Sequence, residues 1–402
     1  MANTFVTNKK TDLVALRAAE AAGYLTVGSK KYFSDQLEGK RNGTSYEFVI
    51  RDAGTYATGM DMTGKVSNLV ERKVTKDIKL GNIVIDTNLL EKVTDVQWDK
   101  EVAVPNGRKL IEGVVQDVLA DDIGRQNTAF VGKGWLPVSK ASRFLGSIGN
   151  EDRYGFIDPM IESICAAGGK AYAPVDTEPL YRTGLLGKAF GTEFREQQFM
   201  PSVEISGDLA AELSSATVSG FVSNGDGTAT LKLSGVSESI PAGTPLFVKG
   251  VYATNLVGNK TSSLKAFIAI EDAAAGSVKV RDVDFNGEGT KEAVKADGSK
   301  VALTDFASAE LANPIAEGLY FTGILRLDGA MEFETLNKLD WSNADQSSDS
   351  IEGVKVHEGR AVDVITGSNK TRWTVASLAG IVEPRACTYV CIADASANLV
   401  TM

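Results

Sequence analysis

Histidine is almost missing from this chain: 402 residues contain one, His357, beside three cysteines and ten prolines. One histidine with Cys165, Cys387 and Cys391 cannot assemble a histidine- or thiolate-based zinc site or a convincing proton relay, so those enzyme classes drop out. The cysteine set is odd and sparse, which excludes a disulfide framework and fits a reducing compartment. Cys387 and Cys391 stand four apart, share one face of a strand, and read as buried thiols. His357, in "GVKVHEGR", reads as a strand or turn residue. Long apolar runs are missing too: nothing approaches the ~20 residues of a membrane span. The first apolar segment is interrupted by Arg17 and Glu20, which spoils a signal-peptide core, so no export is implied. Positive charge is short: 42 Lys and Arg against 52 Asp and Glu give −10, the wrong sign for gripping phosphate backbones. The densest basic stretches, "KVTKDIK" and "SNKTR", are short and read as solvated faces.

What is present is the composition of a folded protein, 43% hydrophobic and 23% charged, with 40 glycines that call for many turns. The length suits two or three domains. Residues 12 to 25 pattern as a short amphipathic helix after a polar start. From 29 to 95 period-two strands dominate: "SYEFVIR", a Gly- and Thr-rich tip "GTYATGMDMTG", and the returning "DIKLGNIVIDT", a long hairpin excursion with little core of its own. A long helix is predicted over 107 to 131, with Ile111, Val114, Val115, Val118 and Leu119 on one arc and Gly113, Asp117, Ala120 and Gly124 on another. Glycines inside a helix cost about 1 kcal/mol each relative to Ala, which suggests a close backbone neighbour on that side. Next come a helix around "SKASRFLGS", the strand "RYGFIDP" and a helix opened by Pro159. Residues 203 to 317 read as short strands broken by Gly and Asn, an inserted all-β domain in the manner of a small barrel, and strands return after it.

Three stretches invite chemistry. Asp282, Asp284 and Asn286 in "DVDFNGEGTKEA" mimic the start of a calcium loop, but its twelfth position is Ala293, and a polar hairpin turn is expected instead. "GLLGKAFG", with Gly184, Gly187 and Gly191, lacks dinucleotide and phosphate-loop spacing and reads as tight turns. In "GVVQDVLADDIGRQ", Asp121 and Asp122 diverge by about 100° on a helix and cannot share a proton as a catalytic dyad does. Asp121 can pair with Arg125 at i, i+4. Asp122 falls in the apolar arc, so either the helix has left its core there or a cation from elsewhere, including a neighbouring chain, meets it.

The order of parts carries a resemblance. The helix "RKLIEGVVQDVLADDIGRQNTAFVG", the strand-Pro-helix "GFIDPMIESIC" and the ending "LAGIVEPRACTYV" resemble the major capsid protein of a tailed bacteriophage, the HK97-like fold. Inside it, "TATLKLSGVSESIPAGTPLFVKGVYATN" followed by "FIAIEDAAAGSVKV" is similar to the inserted β-domain of short-tailed-phage coat proteins. The resemblance implies an α+β chain with an N-terminal arm (1–28), an extended loop (29–80), a peripheral domain with the spine helix (81–136 and 318–375), an axial domain (137–202 and 376–402) and the inserted domain (203–317). It implies copies of the same chain as partners, in hexamers and pentamers, with a scaffolding protein, a portal and a decoration protein. It also implies double-stranded DNA enclosed without sequence-specific binding, a place in the virion capsid after assembly in the host cytoplasm, and no membrane, cofactor, metal or catalytic residue. Subunit-contact candidates are Asp121, Asp122, Arg125, Arg51, Asp61 and Asp226, the last on "SNGDGT", a shorter counterpart of a loop that in related coats reaches a neighbour. Competing readings are a surface-layer or glycan-binding structural protein using the β-insert, and a carboxylate-dependent hydrolase working through Asp121 or Glu162.

Overall fold

The apolar arc recognised by its spacing is one side of a helix, Val104–Asp122, in the computed structural model, with Leu110, Ile111, Val114, Val115, Val118 and Leu119 all buried. Burying each such side chain contributes about 1.5–3 kcal/mol, enough to hold the helix in place. A short helix, Asp95–Trp98, and a π turn, Asp99–Ala103, lead into it. Pro105 explains the wide turn: it has no N–H to give and its ring crowds the carbonyl a turn earlier. The structure describes residues 4–31, 45–51, 71–86, 95–161, 164, 185–274, 276–282, 292–299, 301–337, 339, 345–363 and 368–394.

Along the chain, β1 (Ser29–Lys30), β2 (Ser45–Arg51) and β3 (Glu71–Asp86) precede this central helix. β4 (Thr128–Lys133), β5 (Arg153–Ile157), β6 (Leu185–Ala189), β7 (Thr192–Glu196) and β8 (Ser202–Ile205) follow it. Then come β9 (Thr217–Ser223), β10 (Thr228–Ser234), β11 (Pro245–Thr254), β12 (Lys260–Ile268), β13 (Ser277–Arg281), β14 (Ala293–Val294) and β15 (Ala309–Glu310). β16 (Gly318–Leu327), β17 (Met331–Thr335), β18 (Asp345–Ile351), β19 (Val354–Asp363), β20 (Ser368–Ile381) and β21 (Cys387–Ala393) complete the series.

The chain forms two units, one from Met1–Phe48, Thr75–Ala120 and Met331–Gly380, the other from Val49–Val74, Asp121–Ala330 and Ile381–Met402. The first is built on a sheet in the order β1-β17-β20-β19-β18, with β3 also on β20 and β2 on β3. Gly81 of β3 lies against the central helix so closely that a Cβ there would stand 2.5 Å from the Leu110 carbonyl oxygen. The N-terminal residues differ from the expected arm. Thr4–Ala21 is a helix that buries Val14, Ala15, Ala18 and Ala19 and packs on β18, β19 and the π turn of its own chain. Arg17 fastens it to Asp99 at 2.7 Å, and Gly107 lets it approach, since a Cβ there would meet the Val14 carbonyl at 2.8 Å. Small residues at one face, Ala15, Ala18, Ala19 and Ala22, favour docking over a free segment.

In the second unit a sheet in the order β4-β21-β16-β5-β7-β6, with β8 on β16, is covered by the helix Leu136–Ile148. Leu145, Ile157, Phe194, Leu325 and Val390 form its core. The segment from 217 to 310 makes two further sheets, β13-β10-β9-β15 and β12-β11-β14. Phe306 stacks on Phe221 at 5.0 Å and meets Phe267 edge-on. The region expected to be all-β also holds a helix, Gly207–Ser215, capped by the Ser206 hydroxyl accepting from the Leu209 N–H. Its "DLAAEL" pattern buries only Leu209 and Leu213, too few for the period to show against the surrounding strands.

Candidate functional site

The question raised by the two aspartates is answered at the end of the central helix. The helix stops at Asp122, short of the predicted 131, because Gly124 adopts φ +89°, a left-handed conformation that suits glycine and ends helices. The residues 128–131 that the pattern places in its last turn, "TAFV", instead open strand β4, as their β-branched and aromatic content permits. Gly124 is also a point of close approach: a Cβ there would lie 3.0 Å from Arg281 Cγ and from Ile270 Cγ2. Gly113, by contrast, faces open space and is exposed, so the close neighbour expected along that arc is not at Gly113.

Asp122 is fully buried, and its Oδ1 accepts the Ile381 N–H at 2.6 Å. The carboxylate is therefore met by backbone of its own chain, which corrects its reading as a subunit contact: a sealed group cannot reach a neighbour. Asp121 is 45% exposed and pairs with Arg281 at 3.6 Å. The expected Asp121–Arg125 side-chain pair gives way to a bond from Arg125 Nε to the Asp121 carbonyl oxygen at 2.9 Å. A cation from elsewhere does meet the helix end, but it is Arg281 of β13, whose Nε also donates to the Ile123 carbonyl at 3.4 Å. Burial, and then the nearby Arg125 cation, pull the Arg281 guanidinium below its ordinary pKa.

The next residues knit three segments together. Gln126 folds back, accepting the Gly124 N–H through Oε1 and donating through Nε2 to the Asp122 carbonyl. Asn127 donates its side-chain N–H to the Thr254 carbonyl at 2.5 Å and its backbone N–H to the Cys387 carbonyl at 3.0 Å. The Thr128 hydroxyl donates to the Leu264 carbonyl at 2.7 Å. Lys265, buried at 3% exposure, donates to the Gln126 carbonyl at 3.2 Å. The helix end thus joins β11, β12 and β13 to the chain from Ile381 to the start of β21. Such an arrangement fastens a joint and offers no exposed acid–base pair.

The remaining sequence candidates do not converge on it. Asp226 sits exposed on the β9–β10 turn and accepts the Thr228 N–H at 2.9 Å, and the Thr228 hydroxyl and amide hold its pKa below the ordinary carboxylate value. Asp282 accepts the Ser223 hydroxyl. Asp284, Asn286, Asp61, Glu162, Cys165 and Gly184 lie outside the described residues, as does the side chain of Arg51 at the end of β2. Among the described residues no group of three or more His, Cys, Asp and Glu could hold a metal. Gly191, at φ +77°, forms the tight β6–β7 turn expected of "GLLGKAFG". Cys387 and Cys391 are buried free thiols, and His357 is a buried strand residue whose Nε2–H donates to the Leu336 carbonyl at 2.8 Å. Sequence reasoning missed Lys265, Arg281 and Asn127. One signal was available: Lys265 abuts "AFIAI", a run too apolar for a half-exposed strand.

No protein-family model and no curated protein matches this chain. Solved structures similar to it include the acid-stable capsid of Helicobacter pylori bacteriophage KHP30, at 9% identity and TM-score 0.41 over 87% of this chain and 84% of that one. A virus-like particle from Pyrococcus furiosus is 9% identical, with TM-score 0.38 over 95% and 98%. A structure from Mycobacterium phage Che8 is also 9% identical, with TM-score 0.38 over 90% and 89%. At such TM-scores the likeness is loose.

Proposed function

We propose that this chain is a shell subunit, a major capsid protein of the tailed-phage kind with an HK97-like architecture. Its copies associate as hexamers and pentamers into an icosahedral container for double-stranded DNA. One observation carries the reading. The first unit lays the part of β3 from Thr75 onward over the central helix at Gly81, and the opposite side of that strand presents Leu80 and Val84 to solvent at 53% and 59% exposure. A strand that turns one side to its own helix and two large apolar side chains outward, on either side of Asn82, is suited to being covered by another subunit. On this reading the first unit is the peripheral domain, the sheet of the second unit is the axial domain, and residues 203–317 are the insert. The domain limits proposed from sequence shift accordingly: the N-terminal helix belongs with the peripheral part, and the helix end from Asp121 with the axial part.

The net charge of −10 supports a container whose inner wall does not hold DNA tightly. Neither aspartate of the opening pair is free for general acid–base work, since Asp122 is sealed on the Ile381 amide and Asp121 faces Arg281. A scaffolding protein, portal and decoration protein are the expected assembly partners. The test is electron microscopy of the purified chain, alone and with a co-expressed scaffolding protein, with particle diameter measured. Closed shells or ring-shaped oligomers of five and six support the reading. A persistent monomer under both conditions overturns it, and glycan binding by that monomer would favour a surface-layer protein.

A further inference from the structure

The joint at the end of the central helix contains an electrical cost that its packing does not explain. Lys265 is a long cationic side chain at 3% exposure, and its ammonium, with three hydrogens to donate, makes one hydrogen bond, to the Gln126 carbonyl. On the residue after Gln126, Asn127 Oδ1 is buried and accepts no hydrogen bond. A buried site that under-satisfies a cation is weaker while the cation keeps its charge. This ammonium also lies where separate chain segments meet. β12 joins residues 127 and 128 through the Ala266 N–H to the Asn127 carbonyl and the Thr128 hydroxyl to the Leu264 carbonyl, and Asn127 reaches β11 at Thr254 and the start of β21 at Cys387.

The charged and titratable groups around it are mostly committed elsewhere. On the helix end, Asp122 is bound to the Ile381 amide, Asp121 faces Arg281 of β13, and Arg125 donates to the Asp121 carbonyl. On the segment before β21, Arg385 is held by Glu383 at 2.8 Å, and the Cys387 thiol donates to the Glu383 carbonyl. Glu292, next to β14, is the buried carboxylate whose charge favours the Lys265 cation, with Cys387 adding a smaller effect.

We propose that Lys265 makes this joint a pH-graded latch, which holds the β11–β12 sheet to the end of the central helix more firmly as the solution becomes more alkaline. The physical cause is burial, which outweighs Glu292 and pulls the Lys265 ammonium below its ordinary value of 10.5. The direction follows from proton counting. When the joint opens, Lys265 meets water and regains an ordinary affinity for its proton, so the open form binds more protons than the closed one. Closure therefore strengthens as pH rises from the lowered value toward 10.5 and levels off above it. Below the lowered value, closure is weakest and again independent of pH.

The experiment is hydrogen exchange on the full-length chain between pH 7.5 and 10.5, with each amide's protection taken against its unstructured rate at the same pH. Protection of the β12 amides and of Ala266 in particular should rise with pH, by up to about tenfold per unit inside the window, while β19 and β20 of the first unit show no such rise. Lys265→Met should remove the slope and leave protection high at every pH. Lys265→Arg, which keeps its charge throughout, should remove the slope and leave protection low. A flat profile in the unaltered chain overturns the proposal, as does a slope that survives either substitution. Should one variant not fold, the profile of the unaltered chain and the other variant still decide.

Discussion

Both units bury carboxylates, and Glu358 in the first and Asp122 in the second meet different kinds of partner. In the first, Glu358 of β19 lies at 1% exposure and gathers side chains: the Trp373 indole N–H at 3.1 Å, the Thr11 hydroxyl of the N-terminal helix and Arg360 Nε at 2.5 Å. In the second, Asp122 lies at 0% and takes a backbone N–H, that of Ile381. Side chains from a helix, a strand and a neighbouring position specify one arrangement of several pieces, whereas a backbone donor specifies where a chain passes. The first device docks the N-terminal helix on its sheet. The second fixes where the chain enters its C-terminal strands beside the helix end.

That contrast can be broken most severely at Glu358. Glu358→Ala leaves the Trp373 N–H and the Thr11 hydroxyl in a dry site without their acceptor, and should cost about 3 kcal/mol in urea unfolding. Arg360 is 42% exposed and adds little to that loss. A midpoint unchanged within error would show that the N-terminal helix is held by its alanine face and the Arg17–Asp99 pair without help from Glu358. Next is Asp122→Ala, expected at about 2 kcal/mol because the Ile381 N–H is stranded. Asp122→Asn keeps an acceptor of the same shape and should recover most of it, and if it fails to do so the charge rather than the acceptor is what the site needs.

A smaller effect of opposite sign is expected at Gly113, exposed on the helix with nothing within 4 Å of an added Cβ. Gly113→Ala should raise stability by about 0.5–1 kcal/mol, and a loss there would reveal a neighbour on that surface, such as another subunit. The smallest is a pH effect in the first unit. Burial holds His357 below its ordinary pKa of 6.5, against the Leu336 carbonyl that favours its proton. The unfolded chain thus takes a proton before the folded one does, so this contribution is complete above about pH 6.5 and declines as pH falls from there toward the folded value. Comparing Tm at pH 7.5 and 5.5 should show a loss in acid that His357→Gln reduces.

How much was legible differs by element. The central helix was readable because five apolar residues recur at its period, and its end was not, because "NTAFVG" continues the apolar content while changing the period. Alternation marked the strands of β2 and β3, and "SNGDGT" marked its hairpin through residues that take turn conformations at little cost. The helix Thr4–Ala21 was read eight residues short, since its polar first half carries no periodic signal. Of the site, Asp121 and Asp122 stand out in the sequence as acids where an apolar face should continue, and Arg125 as a partner four residues from Asp121.

By itself the sequence determined the local periods, the turns at glycine, the scarcity of histidine and cysteine, and the presence of an acid where an apolar residue should stand. Only the tertiary structure decided what that acid meets, because Ile381 lies 259 positions away from Asp122 and Arg281 lies 160 positions from Asp121. Periodicity is a property of neighbours along the chain and is written in residue order. The partner of a buried charge is a property of neighbours in space, and many different orders of residues could supply the same backbone N–H.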